Sequence, residues 1–555
     1  MRAAALALVL LFLGDGGIEV RRREIPADVL AARAALPEGR PALRGFRPDD
    51  AAVALDEPMR RAAALVQSKL ARDGLLATAS AVSGMLGTDD PKKLAAVGIP
   101  ADLLAFFDRG TGTFAFRPSV PGFRASSESG DEEIALARLQ ITSSTYFLGE
   151  GDGGSVDVVR QVLAALPEAT FLASIEEKHV DGFLRIAKGF PGRLTLVPEP
   201  FPVSQWAQDD GKPGTADGAA LLLVPRYASR GEEGAALVPG DTFVGEGLAA
   251  AGLRVARSPL LFQGGDFLVA RDPKSGERIL FVGEGNVWRN TALGLTKEQV
   301  LEAFRLELGV DRCTVLPAIS FHVDEELSLR AVGDRLVAFV PDAVAAVRIV
   351  LRCGVEALER AGVLAAAAPI SDLEAGRDAA FLERVVPPIV ARCPAYGRFP
   401  ESLAAAFSLS PADSGVGNLQ RFLIATDLLS SFSSELENAP TSLDPHAIAY
   451  LRSFRRRDAE RRDLAAALRK EGLEVVRIPS LPEEKRGIDY LNGVHARSRY
   501  LMPAWGGLYA PLDEAARVAF AKALGPGVAI VPILTSESQR RGGGVHCSLS
   551  VSGRD

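Results

Sequence analysis

Histidine and cysteine are scarce. The 555 residues hold five His and four Cys, with only four Met and three Trp. Cys313, Cys353, Cys393 and Cys547 lie 40, 40 and 154 residues apart, so no pair has metal-ligand spacing. That excludes a zinc ribbon and a disulfide framework. Excess positive charge is also missing: 63 Lys and Arg face 70 Asp and Glu, a formal net charge of −7. A mildly acidic chain has no electrostatic footprint for a phosphate backbone, so nucleic acid is not an expected partner. Nor does any segment reach the roughly 20 uncharged apolar residues of a membrane span. What is present is ordinary for a soluble globular protein: 47% hydrophobic and 24% charged residues, 54 Gly and 35 Pro. The length can bury one large core or two.

Met1–Gly14 reads as one Arg followed by an unbroken apolar run. That is the outline of a secretory signal peptide, although Asp15-Gly16-Gly17 follows in place of an A-x-A cleavage pattern. If the segment is such a signal the protein is exported; otherwise it is cytoplasmic. Residues 15–130 are expected to be mainly helical, with apolar residues at helical spacing over Ala51–Leu75 and again over Asp102–Phe107. Pro118, Pro121, Gly122 and the Ser/Gly/acid run Ser126–Glu133 read as a linker, placing a boundary near residue 130.

From residue 131 to 555 the pattern becomes short apolar strands alternating with helices, which argues α/β. Strands are expected at Ile134–Thr142, Thr170–Ile175, Arg193–Val197, Ala220–Val224, Phe267–Ala270 and Ile279–Val282. Further ones follow at Arg312–Leu316, Leu336–Val340, Leu473–Ile478, Tyr500–Met502 and Ala529–Leu534. Thr296 with Gln299 forms a capping box ahead of Val300, Phe304 and Leu308. Asp342–Lys470 is Ala-rich and reads as a helical insertion. Its charge run Arg452–Lys470 is expected to be a solvated helix face, because acids interleave the basic residues.

Four polar segments interrupt this pattern: Trp206–Gly211, Gln263–Asp266, Phe321–Glu326 and Gly542–Cys547. Each lies beside an apolar segment, where strand ends converge on a common face in such folds. Cys547 follows three glycines that leave its thiol accessible, and a thiolate is a strong nucleophile beside a cation. His322 can serve as acid and base near neutral pH. Asp324, two residues on, shares its side if the segment is extended. Asp209 and Asp324 together imply a cationic partner, and a guanidinium's donor fork matches carboxylates best. Each piece alone has an ordinary structural reading: a core His-x-Asp, a hairpin Gly-Gly-Asp, a buried thiol. Their joint occurrence and order point to attack on a guanidino carbon.

The order W-x-Q-D, G-G-D, H-V-D-E and a C-terminal G-V-H-C resembles the guanidine-modifying superfamily. Within it, the likeness is to the catalytic domain of protein-arginine deiminases, over roughly Glu133–Asp555. Trp206-Ala207-Gln208-Asp209, His322-Val323-Asp324-Glu325 and Val545-His546-Cys547 carry it, with Arg477-Ile478-Pro479 and Asn492-Gly493 in support. Agmatine deiminases share the G-G-G-x-H-C ending but usually carry Arg where Gln208 stands. The resemblance implies a pentein fold, a five-bladed α/β-propeller, with the helical insertion within 342–470. It implies Cys547 as nucleophile, His322 as acid/base, Asp209 and Asp324 as guanidinium clamps, and Trp206 as a pocket wall. The implied activity converts arginine, within a peptide or protein, to citrulline. Alternatives are a deiminase of a small guanidine (agmatine or free arginine), an amidinotransferase, and a non-catalytic pentein binding module. No cofactor is expected to be required. Calcium, which animal members bind beside the W-x-Q-D loop, would use Gln208 and Asp210. Lys212, however, stands where a further acid is expected and opposes a bound cation.

Overall fold

The computed structural model describes residues 10–12, 17–25, 56–73, 75–87, 91–97, 114–142, 153–191, 193–200, 203–226, 239–291, 295–365, 368–392, 401–409, 414–432, 445–481 and 487–554. Most of Met1–Gly14, all of Asp102–Phe107 and Cys393 lie outside them. The chain divides into two units: residues 1–147, 166–318 and 547–555, and residues 148–165 with 319–546. No helix among the described residues is long and apolar enough to cross a membrane.

The first unit contains β1 (Leu10–Phe12), β2 (Ile18–Arg21), β3 (Arg124–Ala125), β4 (Glu133–Ile141), β5 (Thr170–Glu176) and β6 (Leu194–Glu199). It continues with β7 (Lys212–Ala216), β8 (Ala219–Val224), β9 (Arg254–Arg257), β10 (Phe267–Arg271), β11 (Arg278–Gly283) and β12 (Arg312–Leu316), and takes in the C-terminal strand Leu549–Arg554. One topology recurs. β7 and β8 form an antiparallel hairpin, and the chain then crosses through the helix Pro239–Ala250 to β9, parallel to β8. The hairpin turns on Asp217-Gly218, both at positive φ (53° and 73°), the conformation that suits a tight right-twisted hairpin. β10, β11 and β12 repeat the arrangement through the helices Glu284–Thr291 and Lys297–Leu308. The C-terminal strand completes a third copy: Leu549–Arg554 pairs antiparallel with β4, and β4 lies parallel to β5. β6, β2 and β1 extend that sheet beyond β5.

Local chemistry explains these pieces. Phe267–Ala270 and Ile279–Val282 are buried throughout, so they read as continuous apolar runs and not as alternating ones. The helix Lys297–Leu308 begins at the expected capping box, with Gln299 N–H on Thr296 Oγ1 at 3.3 Å and Thr296 N–H on Gln299 Oε1 at 2.9 Å. It ends at Gly309, whose φ of 61° and close approach to the Phe123 carbonyl leave no room for a Cβ. Val300, Ala303, Phe304 and Leu308 then pack with Phe262, Phe267 and Leu280 in one core. The helices Glu57–Asp73, Leu75–Leu86 and Pro91–Ala96 form a smaller cluster around Met59, Ala62, Val66 and Val82.

The second unit holds two more copies. β13 (Ser328–Val332) and β14 (Arg335–Pro341) pair antiparallel, and β15 (Glu474–Ile478) lies parallel to β14. β16 (Val494–Ala496), β17 (Arg499–Ala504) and β18 (Ala529–Leu534) do the same through the helix Ala510–Leu524. Between β14 and β15 run the helices Ala343–Arg360, Ala368–Glu374, Asp378–Val390, Glu401–Ala406, Gly415–Phe432 and Pro445–Lys470. Their core closes tightly: a Cβ on Gly354 would sit 1.9 Å from the Phe422 ring.

Two expectations are corrected. The run Ser126–Glu133 is no solvated linker. Ser126, Ser127 and Ser129 are buried, and Ser127 and Ser129 both donate to Asp131 Oδ1. Polar composition misled because these hydroxyls satisfy one another inside the fold. The run Arg452–Lys470 is not solvated throughout either. Arg461 is 1% exposed and holds Glu326 with two hydrogen bonds.

Candidate active site

In the first unit three of the polar segments come together. Asp209 N–H donates to the Trp206 carbonyl at 3.1 Å, folding Trp206–Asp209 into a turn. Gln208 N–H then donates to the carbonyl of Cys547 at 3.1 Å, joining segments 339 residues apart in sequence. A Cβ on Gly264 would meet the Gln208 carbonyl at 2.0 Å, so this glycine lets the Gly264–Asp266 turn lie against the same loop. That turn is a short 3₁₀ segment leading into β10; it is not the hairpin that Gly-Gly-Asp alone suggests. Asp266 is fixed by Asn286 N–H on its Oδ2 at 3.1 Å.

The adjacent carboxylates of this loop differ. Asp210 is buried and paired with Arg138 at 3.3 Å, and the same guanidinium donates to the Ala207 carbonyl. Asp209 is half-buried and coupled electrostatically to Arg289. Arg289 carries no signal in the sequence, yet it donates to Gln263 Oε1 at 2.5 Å and Asn286 Oδ1 at 2.8 Å. Burial holds its pKa below the ordinary arginine value, with Asp266 and then Asp209 opposing.

In the second unit the fourth segment, Phe321–Glu326, meets residues 542–546. His322 is extended (φ −135°, ψ 154°), but Val323–Glu325 turns at once into a 3₁₀ segment. The extended premise that put His322 and Asp324 on one side therefore fails after the first residue. Both are buried all the same. The His322 ring lies on Phe321, centroids 4.1 Å apart. Asp324 Oδ2 is 2.7 Å from Nδ1 of His546, the residue before Cys547. Asn492 ties the loops together. Its Nδ2 donates to the Asp324 carbonyl at 3.3 Å, its Oδ1 accepts from Gly544 N–H at 3.0 Å, and its own carbonyl accepts from His546 N–H at 3.0 Å. Asn492 is positioned in turn by Asp489, which accepts its N–H at 3.1 Å.

Electrostatics marks several titratable groups as inert. Burial pushes the Cys313 and Cys353 thiols up to about 12, so neither forms a thiolate near neutral pH. Cys547 is itself only 5% exposed, so the three glycines do not leave it open; it sits on the turn that feeds the buried strand Leu549–Arg554. His495 is a structural histidine: it stacks on Tyr500 at 4.2 Å, its Nε2 is 2.9 Å from Ser328 Oγ, and burial pushes its pKa well below the usual value. Glu325 is raised well above the usual carboxylate range, by burial first and then by Asp324.

The donors beside Gln208 do not fit a calcium ion. Lys212 is fully buried, and its Nζ donates to Glu128 Oε1 at 2.6 Å and to the Phe267 carbonyl at 2.9 Å. Gln208 Nε2 donates to that same Glu128 oxygen at 3.0 Å. An ammonium already neutralises the carboxylate there and repels a second cation. No group of three or more His, Cys, Asp or Glu among the described residues is arranged to hold a metal.

No protein-family model matches the chain, and none of the curated proteins does. Solved structures similar to it include the agmatine deiminase of C. jejuni, at 13% identity and a TM-score of 0.45, covering 78% of this chain and 98% of that one. The agmatine deiminase of Enterococcus faecalis matches at 13% identity and a TM-score of 0.44, covering 78% and 96%. The DDAH of Pseudomonas aeruginosa, complexed with citrulline, matches at 13% identity and a TM-score of 0.31, covering 76% and 99%.

Proposed function

We propose that the chain is a guanidine-modifying hydrolase that deiminates arginine, within a peptide or protein, to citrulline and ammonia. One observation carries the reading: widely separated motifs converge, within each unit, on the consecutive residues His546 and Cys547. The W-x-Q-D loop is bonded to the carbonyl of Cys547, and the H-V-D-E segment is bonded to the ring of His546. A structural role for each motif alone gives no reason for them to meet at one dipeptide. In this reading the five strand modules are the blades of a propeller, sealed by the pairing of Leu549–Arg554 with β4.

The Cys547 thiolate attacks the guanidino carbon and forms a C–S bond. Collapse of the tetrahedral adduct breaks a C–N bond, and His322 gives the departing nitrogen its proton. His322 then takes a proton from water, which attacks the S-alkylthiouronium carbon. The C–S bond breaks, the electron pair returns to sulfur, and citrulline leaves. Asp209 and Asp324 hold the guanidinium charge through both tetrahedral steps, where fixed charges in a water-poor site act most strongly. The pairing of Asp210 with Arg138 supports Asp209 as the clamp on the first unit. His546 keeps Asp324 oriented through its Nδ1. Gln208, at the position where agmatine deiminases carry Arg, supports the peptide substrate over agmatine.

The test is a citrulline and ammonia assay on an arginine peptide, free arginine and agmatine, with and without calcium. Turnover should be fastest on the peptide, should be unchanged by calcium, and should vanish in Cys547→Ala. No product from any of the three, or a Cys547→Ala variant equal to the native chain, overturns the reading. Faster turnover of agmatine or free arginine moves the substrate to a small guanidine and leaves the chemistry intact.

A further inference from the structure

Within the second unit, the helices between β14 and β15 reach the next module in the chain, β16–β18, at the residues that follow β17. The helix Gly415–Phe432 places the Arg421 guanidinium 4.3 Å from the centre of the Trp505 indole. Three residues earlier, on the same face of that helix, the Asn418 carbonyl accepts from Tyr509 Oη at 3.1 Å. Leu419 and Phe422 pack with Trp505 and Tyr509 in one core. A second guanidinium, that of Arg540, lies 5.4 Å from the centre of the same indole.

Arg540 closes the short helix Ser536–Arg540, and that helix holds the loop leading to His546. Ser538 Oγ donates to the Gly543 carbonyl at 2.9 Å, and the Gln539 carbonyl accepts from Gly542 N–H at 3.0 Å. Gln539 Oε1 accepts from Asp489 N–H at 2.8 Å, and Asp489 positions Asn492, which takes the N–H groups of Gly544 and His546. A continuous set of contacts therefore runs from the insertion, through Trp505 and Arg540, to Gly542–His546. Stability alone does not account for two guanidinium groups on one ring. Trp505 and Arg421 are both buried, and a leucine or methionine in the place of Arg421 would join the same core without the desolvation cost of a cation. The two like charges also repel, and the indole face is what draws both. What the cations add is orientation, since apolar contact is non-directional and a guanidinium is held over the ring face.

We propose that Arg421 is a positioning residue for the loop Gly542–His546, acting through Trp505 and Arg540, so that the helical insertion sets where that loop stands. Its consequence for turnover rests on the hydrolase reading above, in which His546 orients Asp324 and precedes the nucleophile. The coupling itself rests only on the contacts within the second unit.

Amide hydrogen exchange of the full-length chain tests this, read by mass spectrometry on the fragment containing Gly544 and His546, well below every variant's thermal midpoint. Arg421→Met removes the cation and keeps an apolar stem. Exchange in that fragment should quicken roughly threefold to thirtyfold, the range of one cation–π contact. The hairpin β13–β14, in the same unit, should exchange as in the native chain. Arg540→Met cuts the contacts at their other end and should quicken the same fragment. The double variant should be no faster than the faster single one, because both arginines act through one ring. Arg421→Lys keeps the charge and should fall between native and Arg421→Met. Arg540 is half-buried, and its variant decides the coupling alone should Arg421→Met not fold. Turnover of an arginine peptide should fall as exchange quickens, in kcat more than in KM. Exchange is read without substrate, so a chain with no deiminase activity would end the hydrolase reading and leave the coupling to be decided by exchange. Native exchange in the arginine-to-methionine variants, quickened exchange shared by β13–β14, or additive effects in the double variant would each overturn the proposal.

Discussion

Asp209 and Asp210 are neighbours in the chain with different company, and they should fail differently when neutralised. Asp210 and Arg138 are both under 5% exposed, and removing one partner of such a pair leaves a buried charge without compensation. Asp210→Asn should therefore lower stability by about 3–5 kcal/mol, read from the denaturant midpoint. Asp209→Asn should leave that midpoint nearly unchanged and lower kcat/KM by roughly 100-fold or more. Equal stability losses with equal activity losses would sink the assignment of the clamp to Asp209. The sequence placed both carboxylates in one polar segment, because Trp-x-Gln-Asp is a recognisable string. It was silent on Arg138, which lies 72 residues upstream in an apolar strand and is visible only once β4 meets that loop. Arg289 and Asn286 were missed for the same reason. Each acts through a hydrogen bond made by tertiary approach, and neither has a characteristic neighbour in sequence.

The helix Pro445–Lys470 shows the same limit at the scale of an element. Its alternating charges read as a solvated face, and Arg456, Arg462 and Glu460 do keep that character. Yet Asp458, Arg461, Ala465 and Leu468 recur at helical spacing and are all buried. The period was present in the sequence, masked because one buried position is an arginine. Arg461 grips Glu326 with Nε and Nη2 at 2.7 and 2.8 Å, two residues beyond Asp324, so this helix props the H-V-D-E segment. Arg461→Met should destabilise the chain by about 3–5 kcal/mol, and Arg461→Met with Glu326→Met should recover much of that loss. If the helix positions the segment, the double variant regains stability and still turns over slowly. Native turnover in the stabilised double variant would show the pair to be structural alone. Strand positions were easier to read: Phe267–Ala270 was expected and Phe267–Arg271 is observed, since a run buried on both faces leaves no ambiguity of phase.

Across the whole molecule, buried acids set the direction in which stability changes with pH. Burial pushes Glu199 to about 8 despite Arg23 at 3.1 Å, and it pushes Asp489 to about 7 despite hydrogen bonds from Leu491, Asn492 and Ser480. Both groups bind a proton more tightly folded than unfolded. The stabilisation from their protonated forms is complete below the ordinary carboxylate range near 4. It is lost progressively as pH rises through about 7 for Asp489 and about 8 for Glu199. Glu199 cannot relieve this by moving, because it packs so closely on Gly247 that a Cβ there would lie 2.0 Å from its Oε1. Nor was this visible in the sequence, where Glu199 is one acid among 70 Asp and Glu and its burial follows from the strands extending the sheet beyond β5. The thermal midpoint of the native chain should therefore fall between pH 5 and pH 8. Glu199→Gln removes one of the two groups responsible and keeps the shape of the side chain. Its midpoint should fall less over the same interval, the difference being of the order of a few kcal/mol when converted to free energy. Midpoints measured at pH 5, 6.5 and 8 decide it. Parallel curves for the native and Glu199→Gln chains would mean that Glu199 is already ionised in the folded protein, with Arg23 outweighing its burial.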